Sequence, residues 1–434
     1  MAMRNINHED VTEAALRPMG PPGRGFWILA GLLALPVAIG AAAYVYQLIN
    51  GLGVTGLSDE VFWGVYTSNL VTFIGFSYGG AVVSAILRIT HAQWRSPITR
   101  LAEATALVTL LIGASFAIIH LGHPERIWRF FIYSRVSSPI VWDSIAISTY
   151  LVGTVIFLYI LLIPDLAVVR DRVDAKVGSL TRRLSKLLAF GWRGLPEQRQ
   201  RLQWGITVMS ILIIPLAVGV HSVLSWAFAV TSRTGWHSSI FGPYFVVAAL
   251  FSGVATVILV VAGFRKGYHL ERFIGEKQIR YLGYIMLTLG LLYLYFTFAE
   301  FLTEGYTSFE ETVPVLEALL LDRYAPLFWF WVIATGILPM ALVAVPTTRT
   351  VPGIVAAAAL VVAGMWLKRF LIVVPTLASP LVTGGEWASY RPSWVEAEIT
   401  IGAAAAIPLM LMFFFRLFPV LSILEMEETE TIQP

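Results

Sequence analysis

An all-α membrane protein is the fold class this sequence predicts: about ten transmembrane helices, arranged as two four-helix bundles (spans two to five and six to nine) with one flanking helix at each end. Three observations carry that expectation. Of 434 residues, 57% are hydrophobic and only 13% charged, against about 25% charged in a soluble domain. Apolar runs of spanning length recur ten times. Short motifs recur in the same order in the two halves of the chain.

The runs fall near 26–49, 61–87, 99–122, 140–163, 205–231, 240–263, 279–303, 324–346, 351–375 and 396–418. Each can cross about 30 Å of hydrocarbon as a helix, the conformation that satisfies its own backbone in lipid. They divide the chain into a tail 1–25, a flanking span 26–60, a first bundle 61–231, a second bundle 240–375, a flanking span 396–418 and an acidic tail 419–434. The N-terminal tail is polar and carries acids, unlike a cleaved signal peptide. An even number of spans places both termini on one side. That side collects 21 Lys and Arg residues, and the five odd-numbered loops hold only six: Arg126, Arg129, Arg135, Arg233, Arg323 and Arg391. The positive-inside rule makes both termini cytoplasmic.

Spans two to five align with six to nine without inversion. "GVY" from Gly64 leads to Arg88 as "GPY" from Gly242 leads to Arg265, and Arg100 precedes His120 as Arg280 precedes Glu300. "SPIVWD" at 138–143 answers "APLFWF" at 325–330. Three matches in one order support two four-helix bundles of the same orientation. The fourth loop, 164–204, is basic and partly helical in pattern, which suits either the cytoplasmic headgroups or a simple orientation signal. The tail "LEMEETETIQP" predicts disorder or docking on a neighbour.

The absence of cysteine excludes disulfides, cysteine-ligated zinc or iron–sulfur sites and c-type haem attachment in this chain. A formal charge of +3, with the basic residues in loops, gives no reason to expect nucleic acid. His120 and His123 alone do not make a zinc site, so no metal is assigned. One b-type haem between His120 and His221 is the most the histidines could ligate.

Charges within a bilayer are costly and mark function by default. His221 lies about 24 Å along span five, and Lys368 and Arg369 about 25 Å along span nine, both measured from the inner end. Glu300 and Glu304 close span seven, while Asn69, Asp143, Glu396 and Glu398 sit in the first turns of spans that enter from outside. His120, His123, Glu125, Arg126 and Arg129 gather in one stretch, "IIHLGHPERIWRF". The ionisable groups are thus biased outward, with Glu103 the main exception. Snorkelling accounts for any one of them, and Gly122 with Pro124 is also an ordinary helix stop. A quinol head group would use such a pocket. His120 suits the proton acceptor and Asp143 its partner, with Trp128, Trp142 or Trp226 as walls where they do not simply anchor the interface.

At "HLGHPERIW" followed by "SPIVWD" the sequence resembles the NrfD/PsrC family, integral-membrane quinone-interacting subunits of bacterial complexes such as polysulfide reductase. Its ten spans look most like ActC of bacterial alternative complex III, with ActF similar. The resemblance implies a subunit of the bacterial inner membrane, without a covalently bound cofactor, that binds menaquinol at the periplasmic side. It also implies a periplasmic iron–sulfur subunit, a multihaem cytochrome c subunit and a paralogous NrfD-type subunit as partners, with cytochrome c or a blue-copper protein as final acceptor. Fe–S clusters and haem c would lie in those partners. His120 and Asp143 match the family's quinone-site pair, and Asn69, Arg126, His221 and Trp226 are geometric additions. The family is also proposed to move protons, for which Glu300, Glu304, Lys368, Arg369, Glu396 and Glu398 are the candidates. The position of Asp143 is Phe330 in the second half, so only the first bundle would carry the quinol pair. A proton- or ion-coupled transporter and a paralogous structural anchor are the rival readings.

Overall fold

The computed structural model describes residues 8–172, 178–231, 233–236, 238–381 and 384–431. Among these residues, ten helices are long and apolar enough to cross a membrane. They are α1 (Arg24–Asn50), α2 (Val65–Ile89), α3 (Ser96–Ile119), α4 (Pro139–Asp171), α5 (Pro196–Ala229), α6 (Phe241–Gly267), α7 (Glu276–Thr307), α8 (Ala325–Ala344), α9 (Val351–Ala378) and α10 (Trp394–Leu417). No strand occurs among the described residues. The all-α membrane fold expected from composition is the fold observed.

Helix ends differ from the apolar runs. α4 continues to Asp171, α5 starts at Pro196 and Ser179–Leu188 is a helix between them, so three stretches of the expected fourth loop are helical. A turn that leaves the hydrocarbon needs no apolar face, and hydropathy does not register it. α8 is interrupted by a π turn, Ile333–Ile337, followed by Pro339. Prolines stand inside α1, α4, α5, α9 and α10, at Pro36, Pro164, Pro215, Pro375 and Pro408, where neighbouring helices can satisfy the freed carbonyls.

Helices α2, α3, α4 and α5 pack in a ring, and α6, α7, α8 and α9 form a second. The rings meet along α2 and α6, with α5 and α9 on either side of that seam. Gly79 and Gly253 set the closeness of the crossing, because a Cβ on either would collide with the other's backbone. The two flanking helices, far apart in sequence, pair with each other where Gly40 meets Gly402, and α10 rests on α3 and α2.

Within the acidic tail, expected to be disordered or docked on a neighbour, residues 423–431 fold onto this chain, and 432–434 lie outside the described residues. Ile423–Thr431 is a helix packed against α3, α4 and the helix His8–Leu16. Asp165 accepts hydrogen bonds from the Ile423 and Leu424 amides at 3.1 and 3.4 Å, capping its first turn. Glu425 bridges Arg88, at 2.6 Å, and Arg95. Burial pushes the Glu425 carboxyl up, but Arg88 and Arg95 outweigh it and hold the group below the usual carboxylate range.

Candidate functional site

Buried polar side chains gather in three places. The first is the outer end of the first bundle, meaning the face opposite the termini. Helix α3 stops at His120 because Gly122 takes a left-handed backbone (φ +68°) and Pro124 follows. The half-buried His120 ring faces α2: Nδ1 lies 3.4 Å from Thr67 Oγ1, and the ring meets Tyr66 edge-on at 6.2 Å. Tyr66 donates to Gln47 Oε1, and the Gln47 amide donates to the Ile119 carbonyl at 3.0 Å. Asp143 is half-buried in the first turns of α4, and its Oδ1 is fully enclosed without a hydrogen-bond partner. No bond joins it to His120 among the described residues.

The other residues expected here have separate occupations. Asn69 is wholly buried, donating to Thr400 at 2.7 Å and accepting from the Trp366 indole at 2.7 Å. Arg126 is exposed in the loop, 3.6 Å from Glu125, which also contacts His123 at 3.0 Å. Trp128 and Trp226 are about half exposed, and the Trp142 indole donates to the Val136 carbonyl. Glu396 completes a capping box at the start of α10 with Ser393. Its carboxylate also accepts from the Gly56 amide at 2.7 Å and the Tyr390 hydroxyl at 2.6 Å. Glu398 lies next on α10, its carbonyl against Gly40. The outer network therefore belongs as much to Gln47, Tyr66, Thr67, Tyr390 and Trp366 as to the charged residues. Neutral polar groups near span ends are common, and for that reason none of these five stands out in the sequence.

The second cluster lies inside the second bundle around Lys368, Glu300 and Glu304 and reaches the seam at Arg369, which with Lys368 and His221 borders one small cavity. Lys368 sits in an aromatic box, 4.3 Å from the centre of Trp331, 5.2 Å from Phe301 and 5.7 Å from Tyr244. Glu300 and Glu304 are near enough to act on it electrostatically, and Glu300 accepts from Ser238 at 2.6 Å. Arg369 donates to the Met365 carbonyl at 2.9 Å and to Ser252 at 3.0 Å. His221 is 1% exposed, and neither ring nitrogen has a hydrogen-bond partner. Its ring meets Tyr78 edge-on at 4.3 Å. The Tyr78 hydroxyl accepts from the His221 amide at 3.2 Å and donates to the Ala217 carbonyl, entering the α5 ladder two residues after Pro215. Glu396 and Glu398 stand apart from this group, on α10.

The third cluster, at the face that carries the termini, qualifies the expected outward bias. Arg100 and Asp165 are wholly buried and paired at 2.6 Å, and Glu103 takes bonds from Ser84 at 2.8 Å and Arg88 at 3.2 Å. By hydropathy Asp165 falls in the fourth loop, and only the extension of α4 brings it inside. Among the described residues no three His, Cys, Asp or Glu side chains are placed to hold a metal ion.

Two rings of helices with polar groups at their ends and along their seam describe a multi-pass integral membrane protein. The chain belongs to the polysulphide reductase NrfD family, whose model matches residues 53–380. It is 29% identical over 426 residues to a protein of Halobacterium salinarum named as membrane component C of a dimethyl sulfoxide reductase, covering 93% of each chain. Component C of the selenate reductase of Mesobacillus selenatarsenatis is 26% identical, over 90% of this chain and 93% of that one. The Hdr-like menaquinol oxidoreductase integral membrane subunit of Archaeoglobus fulgidus is 25% identical, over 93% and 95%.

Proposed function

We propose that the chain is the quinol-oxidising membrane subunit of an electron-transfer complex, as in alternative complex III, with both termini cytoplasmic and menaquinol bound at the periplasmic end of the first bundle. The observation that carries the reading is unspent hydrogen-bonding capacity there. Asp143 keeps an enclosed oxygen without a partner, and Nδ1 of His120 has only a long contact to Thr67. A buried polar atom left unpaired is costly, and a quinol hydroxyl entering between α3 and α4 would relieve it. Oxidising one quinol to quinone releases two protons with its two electrons: His120 takes the proton of one hydroxyl, Asp143 holds the other hydroxyl and takes its proton, and both protons pass to the periplasmic side. Electrons leave, one pair per quinol, to a periplasmic iron–sulfur subunit, then to a multihaem cytochrome c subunit and a cytochrome c or blue-copper acceptor. A paralogous NrfD-type subunit stands beside this one. Proton coupling, where present, runs through Glu300, Glu304 and Lys368 to Arg369 on the seam. The relatives' names support the class, since they include two reductase subunits and a menaquinol oxidoreductase subunit.

The test is quinol oxidation by the purified complex carrying His120→Ala. Loss of a positioned general base lowers the rate on the order of 10²-fold or more. An unchanged rate together with unchanged quinone-analogue inhibition removes His120 from the site, and proton flux without quinol points to the transporter.

A further inference from the structure

Arg369 is a cation without a counter-charge. It is 4% exposed in the middle of the seam, and the groups it donates to are a carbonyl and a hydroxyl, both neutral. No carboxylate pairs with it among the described residues. The nearby acids Glu300 and Glu304 act on Lys368 instead. A buried charge is tolerated when paired and is otherwise strongly unfavourable.

Beside Arg369 is a cavity with about 20 Å³ of free volume, lined also by His221, Tyr293 and Lys368 and walled by apolar side chains such as Ala248. That is room for one body about the size of a water molecule. Two of the residues facing it carry unmet hydrogen-bonding capacity: both ring nitrogens of His221 and the Tyr293 hydroxyl. Gly75 is needed for the arrangement, since a Cβ there would lie 2.8 Å from Arg369 Nη2 and 3.5 Å from His221 Nε2.

We propose that this cavity binds one small monatomic anion of the halide class, chloride in ordinary solution, as the counter-ion of Arg369. The anion accepts from the guanidinium, from the ring N–H of His221 and from the Tyr293 hydroxyl, and Lys368 adds a second positive charge nearby. Water fills the same volume but leaves the guanidinium charge uncompensated. Larger oxyanions exceed the space. The site lies where α2, α5, α6 and α9 converge, so the ion is also a bridge between the two bundles. Its binding is independent of the quinol assignment, which concerns the outer end of the first bundle.

The experiment uses the full chain purified with its partner subunits. Crystals grown or soaked in bromide should show an anomalous peak beside Arg369, and replacing chloride with gluconate should lower the melting temperature by several degrees. Arg369→Gln removes the need for a counter-ion and Ala248→Leu fills the cavity, so either should flatten the halide dependence. Absence of bromide density at Arg369 in the wild-type protein overturns the proposal, whatever the variants do. A halide dependence that persists unchanged in a folded Ala248→Leu protein overturns it as well.

Discussion

In the first bundle the helix that carries His120 ends at that residue. In the second bundle the matched helix, α7, continues past Glu300 to Thr307. The next helix differs too: α4 presents Asp143 where α8 presents Phe330, which is 55% exposed, and α8 then passes through a π turn that α4 lacks. A helix that stops releases a loop and opens its end; a helix that runs on closes the same position. The two four-helix rings, which share short motifs in one order, thus differ at a helix stop, one carboxylate and one π turn. The second ring turns its polar residues inward, onto Lys368 and Arg369.

The sharpest way to break this comparison is to write the second bundle's residue into the first. Asp143→Phe should lower quinol oxidation by roughly 10² to 10⁴-fold, the range over which acid–base partners act. The reciprocal Phe330→Asp should create no second site, because Phe330 faces outward. Steady-state rates with a soluble quinol analogue decide it, and retained activity in Asp143→Phe would detach the carboxylate from the chemistry.

The terminal-side network offers the next largest effect, on stability. Arg100 holds Asp165 at 2.6 Å and donates to the Leu161 carbonyl at 2.8 Å, with Glu103 at 3.7 Å. Arg100→Ala strands buried carboxylates and should cost about 3–5 kcal/mol, and the double variant Arg100→Leu with Asp165→Leu should recover much of it. Thermal unfolding in detergent measures both. Equal losses in the single and double variants would mean that the pair contributes nothing as a pair.

What the chain makes legible without coordinates follows from the range of each signal. A span announces itself in some 20 consecutive residues, so all ten are readable from hydropathy. Helix ends outside the hydrocarbon carry no such mark, and Asp165 reads as a loop residue for that reason. Ionisable residues such as His120 and Lys368 stand out because they are rare in lipid. Their neutral partners do not: Gln47 and Thr67 look ordinary until α1, α2 and α3 converge. Pairings are the least visible, as with Glu425, whose acidic segment reads as solvent-seeking until Arg95, 330 positions away, is placed against it.

The seam itself can be probed at the glycine crossing. A Cβ on Gly79 would collide with the Gly253 backbone, which cannot swing aside as a side chain does. Gly79→Ala should therefore destabilise by about 1–3 kcal/mol, in the manner of an overpacked core. It should also lower activity less than Asp143→Phe, since the outer end of the first bundle is left intact. A melting temperature unchanged in Gly79→Ala would show that the bundles can part slightly at no cost, and that the seam is looser than the crossing suggests.

The smallest effect expected is the one that separates chemistry from coupling. Glu300 occupies the place in α7 that His120 occupies in α3, yet it is 6% exposed, accepts from Ser238 at 2.6 Å and lies within electrostatic reach of Lys368. Glu300→Gln keeps the shape and the hydrogen bond to Ser238 while removing the charge, so Lys368 retains Glu304 and its aromatic box. Quinol oxidation in detergent should then fall by less than about twofold, because no positioned acid or base at the quinol is lost. Proton release per quinol, measured in sealed vesicles, is the quantity that should move if the seam carries protons. A large loss of detergent activity in Glu300→Gln would contradict the division of labour: it would mean that the second bundle takes part in the chemistry and that its closed helix end is no barrier to substrate.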